Sequence, residues 1–235
     1  MTLEHWQLPY AEGRVLLIDK PLRWTSFDAV KKIRIATRIS KVGHAGTLDP
    51  LATGLLIICT GRKTKEISSY MAQEKEYEAC FTLGSVTSTY DLESTPINYQ
   101  SIDHLTESDI RNTLAGFLGV QLQVPPAHSA IKREGRPAYL DARKGREVVL
   151  EPRRIEIREL TLLRLALPIV EVKVVCTTGT YIRSLANDVG HRLGCGAHLS
   201  TLRRTRIGEM PVSGALSIDA FLTQLEQEKV HHQKG

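Results

Sequence analysis

The segment 43–54 carries the residue types in this chain that are best suited to catalysis. It holds His44 with glycines on both sides and places Asp49 directly before Pro50. A proline disfavours helical torsions in the residue before it, so Asp49 is expected to be extended or in a turn. A carboxylate on a rigid loop beside a buried strand is well placed for acid–base or nucleophilic chemistry. Asp-Pro is also common in ordinary turns, and spacing alone favours a purely structural residue.

A metal centre is an alternative use of His44 and Asp49, since a metal-dependent hydrolase employs both residue types. The sequence offers no credible third ligand: its eight histidines lack the His-Glu-x-x-His spacing, and its four cysteines form no Cys-x-x-Cys pair. No metal site is therefore expected. The cysteines are predicted to be small buried hydrophobic residues, and they are Cys59, Cys80, Cys176 and Cys195.

The composition is that of a globular chain with a moderate positive charge. Of its 235 residues 42% are hydrophobic, which is enough for a sizeable core, and the formal charge is +5 with a pI of about 9.0. That excess suits a polyanionic partner without establishing one. The N-terminus lacks the basic and apolar regions of a signal peptide, and no apolar run reaches the roughly 20 residues of a membrane span. A cytoplasmic protein without a membrane partner is expected.

The elements that must position Asp49 are indicated by the flanking sequence. Apolar runs at 15–18 and 55–59 predict two buried strands. Residues 43–53 are expected to form a loop rich in Gly and Thr. Ser26 is a suitable N-cap for a helix whose apolar residues recur at helical spacing, namely Phe27, Val30 and Ile33.

Later segments alternate between strand and helix patterns. Residues 77–83 and 170–176 alternate apolar and polar side chains, which predicts half-buried strands. Thr106 followed by Asp109 resembles a capping box at the start of a helix that Gly119 can end. A further helix is expected after the second strand. We therefore expect an α+β fold, with an extended mixed, mainly antiparallel sheet flanked by helices.

The segment 123–153 has a different composition from the rest of the chain. It contains four prolines and many basic side chains, with weak periodicity. Because structureless loops of this length are rare, we expect a functional insertion. The chain 1–235 is predicted to form a single catalytic domain with this insertion and a polar tail at about 225–235.

The segment 43–54 also resembles a family signature. With the two leucines that follow, it reads G-H-x-G-T-L-D-P-x-A-T-G-L-L, similar to the signature loop of TruB-type tRNA pseudouridine synthases. Further segments agree in the family's order, although Arg23 stands where glycine is usual. The matching segments include Lys20-Pro21 with Thr25-Ser26, Lys75-Glu76-Tyr77, Val124-Pro125-Pro126, the run from Gly179 to Asp188, and Leu202-Arg203-Arg204. The resemblance runs from about residue 14 to residue 220.

The resemblance implies isomerisation of uridine to pseudouridine at position 55, in the T-arm of tRNA. In this reaction the N1–C1′ bond breaks, the base turns and C5 bonds to C1′. Atoms are neither gained nor lost, so no cofactor is expected. The resemblance makes Asp49 the essential carboxylate. It leaves open whether Asp49 attacks C1′ as a nucleophile or removes the C2′ proton to give a glycal.

Further site residues follow from the same resemblance. The target base must be flipped out of the RNA, and Tyr77 is expected to stack on it and to assist proton movement at C5. Leu202 and Tyr181 are expected to line the pocket. Arg183 matches the arginine that pairs with the catalytic aspartate. Without the resemblance, Tyr77 would be interpreted as a core residue and Arg183 as a surface arginine.

Two residues near the loop complete the predicted pocket. His44 resembles the residue that fills the space of the flipped nucleotide or holds its backbone. Lys20 is expected to support the pocket or the loop and is assigned no chemical step. A lone loop histidine is otherwise more often structural.

Basic residues in two segments are expected to contact RNA phosphates. They are Lys132, Arg133, Arg136, Arg143, Lys144, Arg146, Arg203 and Arg204. Many family members continue into a small C-terminal RNA-binding PUA domain. This chain is expected to lack it, as a short member or as a truncated chain. No obligate protein partner is expected.

Two further functions compete with this interpretation. A non-catalytic RNA-binding or RNA-chaperone module of the same fold would keep the basic surface without needing Asp49. The presence of Asp49 together with His44, Tyr77 and Arg183 favours an enzyme. An enzyme with the same chemistry and another RNA substrate is the remaining alternative.

Overall fold

The computed structural model describes residues 3–129, 132–133, 136–137 and 150–233. The α-helices in that part of the chain are α1 (Leu8–Glu12), α2 (Ser26–Thr37), α3 (Ile67–Ala72), α4 (Glu107–Ala115), α5 (Ile182–Leu193) and α6 (Ile218–Gln233). The strands are β1 (Val15–Lys20), β2 (Val42–Ala45), β3 (Ala52–Thr60), β4 (Lys75–Leu83), β5 (Gly119–Gln123), β6 (Lys132–Arg133), β7 (Arg136–Pro137), β8 (Arg153–Ala166), β9 (Ile169–Cys176), β10 (Ala197–Ile207), β11 (Met210–Pro211) and β12 (Leu216–Ser217).

The chain divides into two compact units. The first comprises Met1–Glu76 and Arg203–Gly235, and the second comprises Tyr77–Leu202. Strands β4 and β10 therefore each contribute residues to both units. The prediction of a single catalytic domain stays a prediction.

A mixed sheet forms the centre of the first unit. β1 pairs antiparallel with β3 and parallel with β12, and β2 also pairs antiparallel with β3. The predicted strands at 15–18 and 55–59 are confirmed by β1 and β3. Alternate residues of β3 belong to two different core clusters, so the strand is buried on both faces. Helices α2 and α6 share one of these clusters through Ala29, Val30, Ile33, Ile218, Phe221 and Leu225.

Helix α2 begins one residue earlier than the sequence predicts. Its N-cap is Thr25, whose hydroxyl accepts from the Asp28 N–H at 3.0 Å, while the Asp28 carboxylate accepts from the Thr25 N–H at 2.9 Å. This reciprocal capping box satisfies two backbone donors at the start of the helix. Ser26 was the predicted N-cap, and this was wrong because its hydroxyl is engaged elsewhere, as described below.

The second unit contains strands in the order β10-β4-β9-β8-β5, in which β8 pairs antiparallel with both β9 and β5. The predicted strands at 77–83 and 170–176 are confirmed by β4 and β9, with Tyr77, Ala79, Phe81 and Leu83 buried. The capping box at Thr106 is confirmed as well. Helix α4 ends with Gly116 as its C-cap, whereas Gly119 has φ 89° and begins β5, so the predicted end at Gly119 was wrong.

Two long strands, β8 and β10, were not predicted from the sequence. In β8 the register against β9 shifts between Ile157 and Glu159 and again between Leu162 and Arg164. Each shift is a bulge or irregularity that moves the alternation of apolar residues out of phase. The pattern of period two that normally identifies a strand is therefore interrupted. The observed mixed, mainly antiparallel sheet flanked by helices confirms the predicted fold class.

The polar tail predicted at about 225–235 is helical through Gln233. Leu225 is fully buried in the core of the first unit. Glu228 forms an ion pair with Arg14 at 2.9 Å and accepts a hydrogen bond from Tyr10. The segment is polar in composition, but its few apolar and charged residues dock it against the N-terminal part of the unit.

The cysteines are all free thiols, as expected. Cys59, Cys176 and Cys195 are buried, while Cys80 is only half-buried. In the part of the chain that the structure describes, no helix has the length and apolar character needed to cross a membrane.

Candidate active site

Asp49 lies on a short loop between β2 and β3 in the first unit. The loop is shorter than the predicted 43–53, because residues 43–45 belong to β2 and pair with β3. Asp49 is half-buried, and its carbonyl accepts the Ala52 N–H at 3.0 Å in a turn. The carboxylate therefore sits on backbone that is tied to a buried strand on each side.

Ser26 fixes the residue directly before Asp49. The Ser26 hydroxyl accepts the Leu48 N–H at 2.9 Å and donates to the Leu48 carbonyl at 3.2 Å. Ser26 is 2% exposed, so both hydrogen bonds are shielded from water. This role is not evident from the sequence, because a serine at a helix start is ordinarily a cap.

The turn before α2 also contacts the loop. The Arg23 N–H donates to the Pro50 carbonyl at 2.7 Å, and Arg23 has φ 66°. That is the left-handed region, in which a side chain is strained and glycine is not. This backbone conformation would favour glycine, the residue that the family resemblance makes usual at this position.

Lys20 is fully buried beneath this region. Its ammonium donates to the carbonyls of Pro21 at 3.1 Å and Trp24 at 2.6 Å. Burial lowers the pKa of Lys20 to about 8, with the negative charge of Asp49 acting in the opposite direction and the positive charge of Arg204 reinforcing burial. Lys20 thus interacts electrostatically with Asp49 while its hydrogen bonds hold the turn before α2.

His44 is half-buried in β2. Burial lowers its pKa, and the nearby charge of Arg204 lowers it further, whereas a backbone interaction with Gly46 raises it. The imidazole is therefore biased towards its neutral form. Its Nδ1 is buried and makes no hydrogen bond of normal geometry within the described residues.

Arg204 does not lie on the surface, where a phosphate contact would require it. It is 1% exposed, and its guanidinium donates from Nε to the Leu55 carbonyl at 2.7 Å and from Nη2 to the Gly46 carbonyl at 3.1 Å. The prediction that Arg204 binds the RNA backbone was therefore wrong in this structure. A basic residue in a family motif was interpreted by its charge, whereas its side chain points into the protein.

Arg203, by contrast, is half-buried and forms a two-point ion pair with Asp19. Its guanidinium nitrogens donate to the two carboxylate oxygens at 3.1 and 2.7 Å. Asp19 was not predicted as a functional residue. The only indication in the sequence is its acidic side chain beside a basic motif. Arg203 keeps its predicted role as a proposal.

The other residues that the resemblance predicts for the pocket lie in the second unit. Tyr77 is 8% exposed at the start of the β4 segment of that unit, and Leu202 is half-buried in β10. Tyr181 is the N-cap residue of α5, and the side-chain amide of Gln123 binds both its N–H, at 2.8 Å, and its carbonyl, at 3.1 Å. Gln123 therefore holds the backbone of Tyr181 by two hydrogen bonds.

Arg183 is a buried residue of the first turn of α5, 5% exposed. Its guanidinium donates to the carbonyls of Thr89 at 3.3 Å and His128 at 3.2 Å, and its Nε lies 3.8 Å from a carboxylate oxygen of Asp91. Asp91 is itself 3% exposed. The sequence predicted the burial of neither residue, and Asp91 carried no motif that would have identified it.

The other predicted RNA contacts lie in the insertion. Arg143, Lys144 and Arg146 fall outside the described residues. Lys132, Arg133 and Arg136 lie in the two-stranded β6–β7 pair, of which the backbone is described. Within the described ranges, no group of three or more His, Cys, Asp or Glu residues is arranged to hold a metal ion.

Comparison with known proteins supplies the family. A model of the TruB family pseudouridylate synthase N-terminal domain matches residues 34–182, and a model of the tRNA pseudouridylate synthase B C-terminal domain matches residues 183–234. The chain is 47% identical to the tRNA pseudouridine synthase B of Flavobacterium johnsoniae, over 92% of this chain and 98% of that protein. It is 46% identical to that of Parabacteroides distasonis, over 94% and 100%.

Solved structures agree with the fold. A chain from a Cbf5-Nop10-Gar1 complex matches with a TM-score of 0.73 and 27% identity, covering 94% of this chain and 58% of that one. A chain from the archaeal box H/ACA sRNP Nop10-Cbf5 complex matches with a TM-score of 0.71 and 25% identity, covering 95% and 57%. This chain thus spans less than two thirds of those chains. On the family models and the relatives together, it belongs to the TruB family of pseudouridylate synthases, enzymes that isomerise uridine to pseudouridine.

Proposed function

We propose that this enzyme acts on uridine 55 in the T-arm of tRNA, with Asp49 as its essential carboxylate. The observation that carries the proposal is the placement of Asp49: it follows a residue whose N–H and carbonyl both bind Ser26, on a loop anchored to a buried strand. Relatives with 44–47% identity over nearly their whole length are named tRNA pseudouridine synthase B, which supports tRNA as the substrate.

The chemistry requires Asp49 to be ionised. In the reaction the N1–C1′ bond breaks and the C5–C1′ bond forms, C5 releases its hydrogen as a proton, and N1 takes up a proton. No co-reactant is needed for this balance. Asp49 acts either by attack at C1′ or by removal of the C2′ proton, and both routes begin with the carboxylate. The buried ammonium of Lys20 interacts with Asp49 and favours the charged form.

The family resemblance assigns the roles in the second unit. Tyr77 stacks on the flipped base and assists proton movement at C5, while Leu202 and Tyr181 line the pocket. The two hydrogen bonds between the Gln123 side chain and the Tyr181 backbone support a fixed orientation for that residue. Arg183 is proposed as the cationic partner of Asp49 during the reaction.

His44 is proposed to hold the flipped nucleotide or the RNA backbone next to it. Its buried Nδ1, which has no hydrogen bond of normal geometry within the described residues, supports this role, because buried polar atoms normally have a partner. The lowered pKa of His44 favours the neutral ring, which suits a hydrogen-bonding role better than the role of a phosphate-binding cation.

The proposal also covers the cellular location and the partners of the enzyme. We expect it in the cytoplasm, with tRNA as its partner and without an obligate protein subunit. The Cbf5 chains that resemble it come from complexes with Nop10, as their descriptions state. Full activity of the purified chain on an unmodified tRNA transcript would support independent action, and activity only after addition of a cell extract would contradict it.

Release of tritium from tRNA that carries [5-³H]uridine tests the function, because the C5 hydrogen leaves in every turnover. Wild type is expected to release it, while Asp49→Ala and Asp49→Asn are expected to bind tRNA normally and release none. Asp219→Asn, an exposed aspartate of the same unit, serves as the matched control. Full activity in Asp49→Asn would exclude the proposed role of the carboxylate.

A shortened substrate and a substituted one test the RNA target. An isolated T-arm stem-loop is expected to be modified at its uridine 55, and a tRNA with cytidine at that position is expected to release no tritium. Retained release from the cytidine-substituted tRNA would place the modified uridine elsewhere in the RNA.

A further inference from the structure

The burial of Arg204 needs a physical explanation. Arginine is rarely fully buried, because removing its charge from water costs several kcal/mol unless hydrogen bonds and nearby charges compensate. Arg204 is 1% exposed, and its guanidinium binds the backbone carbonyls of Leu55 and Gly46. It is therefore held in place for its directed hydrogen bonds, at a position where a phosphate could not reach it.

The two carbonyls lie on either side of Asp49 in the chain. Gly46 directly follows β2 and begins the loop, and Leu55 belongs to β3, which follows the loop. A single planar guanidinium thus connects the start of the loop to the strand after it. The several donors of arginine point in fixed directions, whereas a lysine ammonium is a compact charge on a flexible chain and cannot reproduce this bridge.

The backbone of Arg204 in β10 also packs closely against Gly54 of β3. Gly54 has φ +99°, and a Cβ built there would come within 2.8 Å of the Arg204 nitrogen and closer still to its carbonyl oxygen. Only glycine allows this approach. The side chain and the backbone of Arg204 therefore both contact the segments that flank Asp49.

A second constraint acts on the residue directly before Asp49. The Ser26 hydroxyl fixes the N–H and the carbonyl of Leu48. Arg204 binds the backbone three residues before and six residues after Asp49, at Gly46 and Leu55. The backbone that carries Asp49 is therefore held at three positions.

We propose that Arg204 and Ser26 are positioning residues that hold the Asp49 carboxylate in its reactive orientation. Neither residue is assigned contact with the RNA or with the reacting atoms. The inference rests on the proposed function, since it presupposes that Asp49 is the essential carboxylate. A misplacement of about 1 Å in such a group can lower a rate by about a hundredfold.

The first test replaces Arg204 by lysine, which keeps the charge and removes the bridge. Arg204→Lys is expected to lower kcat by about ten- to a hundredfold, with KM and the Kd for tRNA within about twofold of wild type. Arg206→Lys is the matched control: it changes an arginine of the same strand that binds the carbonyl of Gly208 and the carboxylate of Glu74. Its kcat is expected to equal that of wild type.

The opposite pattern would overturn the proposal. If Arg204 bound RNA phosphate through its planar guanidinium, Arg204→Lys would raise the Kd for tRNA, while kcat at saturating tRNA would stay unchanged. If Arg204 had a purely structural role, Arg204→Lys would lower the melting temperature of the protein and leave kcat unchanged at temperatures below it. Either result excludes positioning by Arg204.

Ser26→Ala tests the second positioning residue, whether or not Arg204→Lys folds. It is expected to lower kcat roughly tenfold without a change in KM, whereas Ser69→Ala, which removes an exposed hydroxyl bound to the Glu66 carbonyl, is expected to be silent. Full kcat in Ser26→Ala would exclude the Ser26 half of the proposal. Activity in Asp49→Asn would instead remove the proposed function itself, so the two failures are distinguishable.

Discussion

Arg203 and Asp19 form a two-point ion pair, with nitrogen–oxygen distances of 3.1 and 2.7 Å and side chains that are 38% and 31% exposed. The carboxylate of Asp19 occupies the donors that Arg203 would offer to a phosphate. If Arg203 binds RNA, Asp19 therefore competes with the RNA for it. The ion pair therefore predicts how substitution of either residue changes the affinity for tRNA.

Arg203→Ala is expected to weaken tRNA binding, and Asp19→Asn is expected to strengthen it because the guanidinium is released. The slope of log Kd against log salt should become smaller in Arg203→Ala, by the amount expected for the loss of about one phosphate contact. Filter binding or fluorescence anisotropy at several salt concentrations measures both quantities. Arg111→Ala, which breaks an exposed pair with Glu107, is the control and should change neither. Equal affinities in all three variants would remove Arg203 from the RNA surface.

The strained turn at Arg23 leads to a prediction about stability. Arg23→Gly is expected to raise the free energy of unfolding by roughly 0.5–1 kcal/mol, because relief of the left-handed strain exceeds the extra chain entropy of glycine. Urea denaturation measures the change. Leu22→Gly, at the neighbouring exposed position without positive φ, should lower stability instead. A lower stability in Arg23→Gly would mean that the arginine side chain contributes more than the strain costs.

Lys20 predicts a pH dependence of stability. Its folded-state pKa is lowered to about 8 from an ordinary value of 10.5, chiefly by burial. Above pH 8 the folded protein has released this proton while the unfolded chain still binds it, so this group makes stability rise with pH between about 8 and 10.5. In Lys20→Met the contribution is absent. The difference in unfolding free energy between wild type and Lys20→Met should therefore shift in favour of wild type over this range, and a constant difference would contradict the lowered pKa.

The docking of α6 depends on Glu228. Burial raises its pKa, but hydrogen bonds from Arg14 and Tyr10 outweigh burial and place the pKa below the ordinary value of 4.5. The carboxylate therefore stabilises the fold above that pH, and the contribution is lost as the pH falls through the folded-state pKa. Glu228→Gln is expected to cost about 1–2 kcal/mol at neutral pH. Chemical denaturation measures it, and Glu226→Gln, in an exposed pair with Lys229, should cost less than about 0.5 kcal/mol.

The sequence predicts those parts of the fold whose patterns are local. The alternation at 77–83 and the capping box at Thr106 were sufficient for β4 and α4, because both depend on neighbours in the chain. The strand β8 was missed because its register shifts interrupt the alternation. Helix α6 was taken for a tail because its stability comes from partners far away in sequence, such as Arg14.

The candidate site divides in the same way. The signature at 43–54 predicts Asp49 and His44 as site residues directly, since the family resemblance is contiguous there. The residues that hold them in place were not identified, because Ser26 was taken for a helix cap and Arg204 for a phosphate contact. Asp91, the ion-pair partner of Arg183, belongs to no recognised motif. Residue types indicate possible chemistry, whereas the direction of a side chain depends on packing between segments that are distant in sequence.

Strand β10 places Leu202, Arg203 and Arg204 at successive positions, with different tasks proposed for each. Because side chains alternate between the two faces of a strand, a one-residue insertion or deletion in the strand before Leu202 would exchange inward and outward positions. The bridge to Gly46 and Leu55 would then be lost, and a deletion would also put a cation in the place of the apolar residue. Substitutions can change these three residues one at a time, whereas an insertion or deletion changes the positions of all three together. Chains that descend from this one are therefore expected to align without gaps along β10, even where neighbouring loops differ in length.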